Sequence, residues 1–124
     1  MSPEDFSPQA PPAPETDTET FFACDVRAGT IVAAEIFAEA RKPAYKLWLD
    51  FGPVVGQKQS SAQITVHYRP DDLVGRKVAA VINFPTRKIA GFKSEVLVLG
   101  FADENGNILL VSPAPETPDG ARLH

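Results

Sequence analysis

A strict alternation of side chains over residues 45–51 is the feature that most constrains what this chain can fold into. One set consists of Tyr45, Leu47, Leu49 and Phe51, and the intervening set consists of Lys46, Trp48 and Asp50. Because successive side chains of a β-strand point to opposite faces, the first set predicts a buried face and the second a solvent-facing one. The sequence therefore predicts a half-buried strand with Trp48 on its solvent-facing side.

Other short apolar runs follow along the chain and are separated by turn signals. Besides residues 45–51, strands are predicted over residues 26–37, 56–65, 76–84, 94–102 and 107–113. Residues 70–75 predict one helical turn that begins at a proline and stops at a glycine, and residues 85–93 predict a loop. Five or more short strands with one or two helical turns predict an all-β fold, a closed or nearly closed barrel rather than a sandwich.

The first 18 residues differ in composition from the rest of the chain. They contain five prolines, acids but no base, and Phe6 as the single aromatic residue. Such a segment buries too little apolar surface to offset its ordering entropy, so residues 1–18 are predicted to be a disordered arm. Residues 19–124 then form one domain, opening with a helical turn over residues 19–23 that Thr18 or Thr20 could cap.

The acidic overall charge conceals a basic middle region. The chain has a formal net charge of −4, but five of its acids lie within residues 1–19. Residues 58–93, in contrast, carry seven Lys or Arg residues and two Asp residues. This distribution predicts a surface that attracts anionic or acidic partners.

Residue types that carry catalysis or hold metals are sparse and scattered. Cys24 is the single cysteine, and His67 and His124 are far apart in the sequence. The chain contains neither a nucleophile motif nor a phosphate-binding glycine loop. The sequence therefore predicts a binding protein, not an enzyme, with no metal and no cofactor.

Targeting signals are likewise missing from the sequence. The chain contains no apolar stretch of 18 residues, and its start lacks the basic and apolar regions of a signal peptide. We therefore expect a cytoplasmic protein without membrane insertion.

The candidate binding residues centre on residues 85–93. Arg87, Lys88 and Lys93, with Lys58 from a neighbouring strand, are predicted to form a cationic rim at the barrel mouth, where phosphates or acidic segments could dock. Gly91 would let the chain turn there. The alternative is a solvated connection whose charges have no ligand.

Three polar residues near these charges have two interpretations. Gln59, Asn83 and Ser94 could donate or accept hydrogen bonds to a ligand, or they could tie down turns within the chain.

Aromatic residues supply two further hypotheses. Trp48 could stack on a base or hold an apolar peptide side chain, or it could pack beneath the arm or in a dimer contact. Phe21 and Phe22 are adjacent, so a short helix cannot bury both in its own barrel, and a second copy of the chain is the simplest cover.

Five sequence blocks, in order, resemble a known family. They read DVRAGTI, YKLWLDFG, KQSSAQIT, RPDDLVGRKVAAVINFP and RKIAGFKSEVLVLG, and the likeness spans residues 20–124. The chain resembles the tRNA-binding domain family, and within it the CsaA branch of export chaperones. In that branch Ser94 is followed by Glu95 and Val96, whereas the tRNA-binding relatives usually have a Gly-Met pair after this serine.

The resemblance implies a fold and two functions. The fold would be a five-stranded OB-fold barrel, assembled as a homodimer. The first function is that of a chaperone that binds unfolded or precursor polypeptides, with the export machinery as a further partner. The alternative is a structure-specific tRNA-binding protein that uses the same basic face.

Overall fold

Short β-strands make up most of the regular structure, and the helices are single turns. The computed structural model describes residues 3–124, with side chains described from residue 5 onward. A 3-10 turn covers Pro3–Phe6, and three short helices follow, α1 (Thr18–Phe22), α2 (Gly52–Val55) and α3 (Pro70–Leu73). The strands are β1 (Val26–Ile36), β2 (Tyr45–Asp50), β3 (Gln57–Ala62), β4 (Lys77–Val81), β5 (Arg87–Ile89), β6 (Phe92–Ser94), β7 (Leu97–Val98), β8 (Gly100–Ala102) and β9 (Ile108–Leu110).

Five strands form an antiparallel sheet in the order β3-β2-β1-β4-β7. Strand β1 is long enough to pair with β2 over its second half and with β4 over its first half, and it bends at a bulge between Ile31 and Ala33. Such bulges increase strand bending and twist, which curls a sheet toward closure. The all-β, five-stranded OB-fold barrel expected from the sequence is confirmed.

The inward face of β2 supplies the centre of the core. Tyr45, Leu47 and Leu49 are buried there, while the intervening residues are partly exposed. Ile31 from β1 and Val78 from β4 pack into the same cluster. The alternation predicted for this strand is therefore confirmed.

The barrel closes through hydrogen bonds between Gln59–Ser61 of β3 and residues 94–96, which we call the seam. The Glu95 amide donates to the Gln59 carbonyl at 2.8 Å, and the Gln59 amide donates to Glu95 Oε1 at 3.1 Å. Ser60 is 1% exposed, and its Oγ donates to the Val96 carbonyl at 2.9 Å. This bond joins the two sides of the seam. It also satisfies the buried hydroxyl, which would be costly to leave without a partner.

The C-terminal segment extends the sheet beside the first residues of β1. The Ala28 amide donates to the Ala121 carbonyl at 2.9 Å, and the Leu123 amide donates to the Val26 carbonyl at 2.9 Å. The turn before this segment is held by Asp119. Its Oδ1 accepts hydrogen bonds from Thr30 Oγ1 at 2.7 Å and from Lys77 Nζ at 2.8 Å.

The structure departs from the sequence predictions mainly between residues 82 and 102. The strand predicted over 76–84 ends at Val81, and the strand predicted over 94–102 is divided among β6, β7 and β8. The predicted loop 85–93 is wrong, because these residues form a β-hairpin of β5 and β6. Helix α1 is capped by Asp17 instead of Thr18 or Thr20, since Asp17 Oδ1 accepts from the Thr20 amide at 2.7 Å.

The predicted arm meets this helix at residue 17. Part of the arm, residues 1 and 2, lies outside the described residues. After the 3-10 turn, residues 11–17 have no regular structure and are exposed. The disorder of the arm and the domain boundary after residue 18 stay predictions.

Asp119 makes stability depend on pH. Partial burial raises the pKa of Asp119, but the hydrogen bonds from Lys77 and Thr30 and the Lys77 charge lower it more, so the pKa lies below its ordinary value of 3.8. We predict that Asp119→Asn lowers the free energy of unfolding by about 1–2 kcal/mol at neutral pH, because it removes a charge-assisted hydrogen bond.

The sign of the pH dependence follows from the lowered pKa. The contribution of the carboxylate is present above its ordinary, unfolded-state pKa and is lost as pH falls through the lower folded pKa. Urea denaturation should therefore give a difference between the two proteins that is constant near neutral pH and shrinks below about pH 4. When both proteins also carry Lys77→Ala, the pH-dependent part of the difference in their free energies of unfolding should be smaller. A difference that persists unchanged in acid would contradict this account.

Candidate functional site

The β5–β6 hairpin carries most of the predicted binding residues. Its register pairs Arg87 with Ser94, Lys88 with Lys93, and Ile89 with Phe92. Two residues connect the strands, Ala90 with φ of +46° and Gly91 with φ of +82°. Positive φ at both central residues is the mark of a type I′ turn, whose twist matches that of the flanking strands. The expectation that Gly91 turns the chain is confirmed.

The hairpin register divides the cations between two faces. Residues directly opposite each other project to the same face, so Lys88 and Lys93 lie side by side. Arg87 is next to Lys88 in the strand and therefore projects to the other face, with Ser94. Among the described residues, no carboxylate forms an ion pair with these three cations.

Lys58 lies on β3 with a different orientation from Trp48. It pairs with the buried Leu49, whereas Gln59 pairs with Trp48. Since neighbouring pairs alternate between the faces of a sheet, Lys58 and Trp48 project to opposite sides. The structure therefore does not bring Lys58 onto the face that carries Trp48.

Trp48 packs against the hairpin. Its ring lies edge-on to that of Phe92, with centroids 6.0 Å apart, and Phe92 lies edge-on to Phe37 at 5.5 Å. Lys46 Nζ lies 4.9 Å from the centroid of Phe37 and 5.3 Å from that of Phe92. Such aromatic pairs and cation–π contacts add stability beyond that of the apolar area they bury. The tryptophan thus fastens the hairpin to the outside of β2, and binding of a ligand by it stays a prediction.

Three polar residues predicted to be near the site bond within the chain. Gln59 Nε2 donates to the Lys93 carbonyl at 2.9 Å, and Ser94 Oγ accepts from the Ser61 amide at 3.0 Å. Asn83 holds the chain that enters β1, with its Nδ2 donating to the Ala23 carbonyl at 2.9 Å and its Oδ1 accepting from the Asp25 amide at 2.8 Å. These contacts support the alternative in which the three side chains tie down turns.

A groove of about 630 Å³ runs between the hairpin and the barrel, and we call it the hairpin groove. Its lining comes from residues at and after the end of β3, from the hairpin, and from β7 with its neighbours. The residues lining it include Ala62, Ile64, Phe84, Ile89, Val96, Leu97, Val98 and Ile108. Among the described lining residues the charged ones are Arg87 and Glu95. Sequence reasoning missed this groove because its walls meet only when the hairpin folds back.

A second apolar area lies where the two ends of the domain meet. Phe21 is 51% exposed and Leu123 is 48% exposed, with Phe22 between them in a ring contact to Phe21 at 5.0 Å. Arg122 Nη2 donates to the Phe22 carbonyl at 2.7 Å and so joins helix α1 to the C-terminal segment. We call Phe21, Phe22 and Leu123 the terminal patch. Exposed apolar side chains that lie together are a feature of surfaces that contact other proteins.

Within the part of the chain that the structure describes, no group of three or more His, Cys, Asp or Glu side chains is placed to hold a metal ion. Over the same residues, no helix has the length and apolar character that crossing a membrane requires.

Comparison with known proteins gives a family match over most of the chain. Residues 26–122 match the family model described as "Putative tRNA binding domain". The chain is similar to methionine–tRNA ligase of Porphyromonas gingivalis, with 32% identity over 114 residues that cover 92% of this chain and 16% of the ligase. This chain therefore corresponds to a small part of that enzyme.

Solved structures of chaperones are similar over their whole length. The crystal structure of chaperone CsaA from Bacillus anthracis has 50% identity and a TM-score of 0.84, covering 90% of this chain and 100% of that one. CsaA from Picrophilus torridus has 43% identity and a TM-score of 0.83, covering 89% of this chain and 100% of that one.

The turn of the hairpin allows a local test of its geometry. Ala90 is the described non-glycine residue with positive φ, and an alanine is strained there. We predict that Ala90→Asn raises the free energy of unfolding by roughly 0.5–1 kcal/mol, because asparagine tolerates this region and favours the type I′ turn. Gly91→Ala should lower it by about 1 kcal/mol through backbone strain alone, since no atom lies within 4 Å of the added Cβ.

Chemical denaturation of both variants provides the measurement. Ala114→Asn is the matched control, because Ala114 is exposed and lacks positive φ, and it should change stability little. Destabilisation by Ala90→Asn would argue against the type I′ turn.

Proposed function

Because this chain belongs to the tRNA-binding domain family, with a barrel like that of the CsaA chaperones, we propose that it is a homodimeric chaperone of the CsaA type. It holds unfolded or precursor polypeptides in the cytoplasm for export and performs no covalent chemistry. The observation that carries this proposal is the hairpin groove, which is open and mostly apolar, with Arg87 and Glu95 as its charged lining residues among those described. An unfolded polypeptide exposes apolar side chains that such a groove can accept.

The apolar lining favours a polypeptide over a nucleic acid in this groove. Binding to a phosphate backbone depends on cations and gains little from aliphatic walls. Residues such as Leu97 and Ile89 can instead remove apolar client side chains from water, at about 25 cal/mol for each Å² buried. Arg87 would attract acidic groups that flank the apolar segment.

A second candidate function rests on the opposite face of the hairpin. Lys88 and Lys93 lie directly opposite each other, both are exposed, and the described residues supply them no carboxylate. A pair of adjacent unneutralised cations suits the phosphate backbone of tRNA. The two functions therefore use different faces, which makes them separable by mutation.

We predict that Arg87→Ala weakens binding of a permanently unfolded protein, such as reduced and carboxymethylated lactalbumin, by about three- to tenfold. The double substitution of Lys88 and Lys93 by Ala should change that affinity less than about twofold, because these side chains project away from the groove. For bulk tRNA, the double variant should reduce the slope of log K against log salt by about two, one for each lost phosphate contact.

Arg69→Ala serves as the matched control, since this exposed cation lines neither the groove nor the hairpin. If Arg87→Ala and the double variant of Lys88 and Lys93 lose equal affinity for the unfolded protein, the client binds outside the groove. Absence of any binding to unfolded protein at micromolar concentration, with salt-sensitive tRNA binding retained, would establish the second function instead.

Dimerisation is proposed to bury the terminal patch. We predict that replacing Phe21 and Leu123 by Ser raises the dimer dissociation constant at least about tenfold in sedimentation equilibrium. The reason is that the substitutions remove two apolar side chains that the dimer would bury. These substitutions test the contact more cleanly than removal of residues 1–24, since Asn83 binds Ala23 and truncation would also loosen the barrel.

Val54→Ser is the control for this experiment, because Val54 is 93% exposed on α2 and lies outside the patch. A dimer as tight as the parent in the Phe21 and Leu123 variant would move the interface elsewhere.

A further inference from the structure

The N-terminal arm reaches the hairpin groove. Phe6 is one of the residues that line it, and it belongs neither to the barrel nor to the residues 26–122 that match the family. Arg87, Ile89 and Leu97 line the same groove. Phe6 is 62% exposed, so it rests at the groove and is not enclosed by it. Such a contact is loose enough to be displaced.

The chemistry of the arm complements that of the groove. Phe6 is preceded by Glu4 and Asp5, and residues 1–19 contain five acids and no base. The described lining of the groove is mostly apolar and carries two charged residues, Arg87 and Glu95. Glu95 Oε1 accepts from the Gln59 amide at 3.1 Å, whereas Arg87 has no ion pair among the described residues, so Arg87 is the charge that remains for an acidic segment. An aromatic residue beside acids is therefore the kind of segment that this surface would attract.

We infer that the arm is an internal occupant of the hairpin groove, anchored by Phe6, and that it competes with polypeptide clients. This inference rests on the proposed function for the identity of the competitor. It also assigns a preference to the groove, which selects segments in which acids precede an aromatic residue. Clients without such a segment are held off by the arm, and clients with one displace it.

The attachment of the arm makes this competition effective even if the contact is weak. Asp17 caps helix α1, and the end of that helix is held by Asn83 and Arg122. Residues 7–17 therefore form a short tether between a fixed point and Phe6, and short flexible tethers give effective concentrations on the order of 1 mM. An arm that binds in trans with a Kd of about 0.3 mM would then occupy the groove roughly three quarters of the time.

The test uses the full chain and a labelled synthetic peptide with the sequence of residues 2–17 as probe. We expect Phe6→Ala in the chain to raise the affinity for the probe about fourfold, because the internal competitor is weakened. Gln9→Ala, a substitution in the same arm, should leave the affinity unchanged. Adding Arg87→Ala to the Phe6→Ala chain should weaken probe binding again, and a probe in which Phe6 is replaced by Ala should bind at least about fivefold less.

The outcomes separate this inference from the proposed function. Equal probe affinity for the parent and the Phe6→Ala chain, or no binding of the probe to either, would overturn the inference even if carboxymethylated lactalbumin binds. A gain in probe affinity that depends on Phe6 and Arg87 would support the inference even if lactalbumin fails to bind, in which case the chaperone function would fall alone. Where both ligands bind, Phe6→Ala should also raise the lactalbumin affinity.

Discussion

Closure of the barrel at the seam is the interaction on which the rest of this structure depends. The serine hydroxyl of residue 60 is buried, and its bond to the Val96 carbonyl satisfies a donor that would otherwise be costly. Ser94 belongs both to the seam and to the hairpin, because it accepts from the Ser61 amide and pairs with Arg87. The hydrogen bonds that close the barrel therefore also set the position of the cation at the groove.

The remaining polar and aromatic residues near the hairpin act mainly as its attachments. Gln59 holds the Lys93 carbonyl, and Trp48 packs against Phe92 on the outside of β2. Side chains that could have met a ligand thus fix a hairpin whose strands have three residues each and which would be marginal alone. Because the hairpin is held at its base and on one side, the groove beneath it has a defined wall. A preformed wall reduces the ordering cost of binding.

The barrel could be predicted from the sequence because buried residues recur with the two-residue period of a strand. Tyr45, Leu47 and Leu49 had to share a face in any strand, and the structure buries them together. The sequence of the hairpin has no comparable pattern that predicts two paired strands. Its turn is Ala90-Gly91 instead of the usual Asn-Gly, and each of its strands has three residues. The contact of Trp48 with Phe92 and the groove join residues distant in sequence, which periodicity cannot predict.

The hairpin register also changes how the basic charge should be understood. Cations close together in sequence suggested one rim, yet adjacent residues of a strand project to opposite sides, so Arg87 faces the groove and Lys88 faces away beside Lys93. Like charges directly opposite each other destabilise a strand pair by up to about 1 kcal/mol. The free hairpin bears this repulsion, and a bound polyanion would relieve it, so anion binding and hairpin stability are coupled. An apolar client in the groove would leave the repulsion in place, because its contacts lie on the other face.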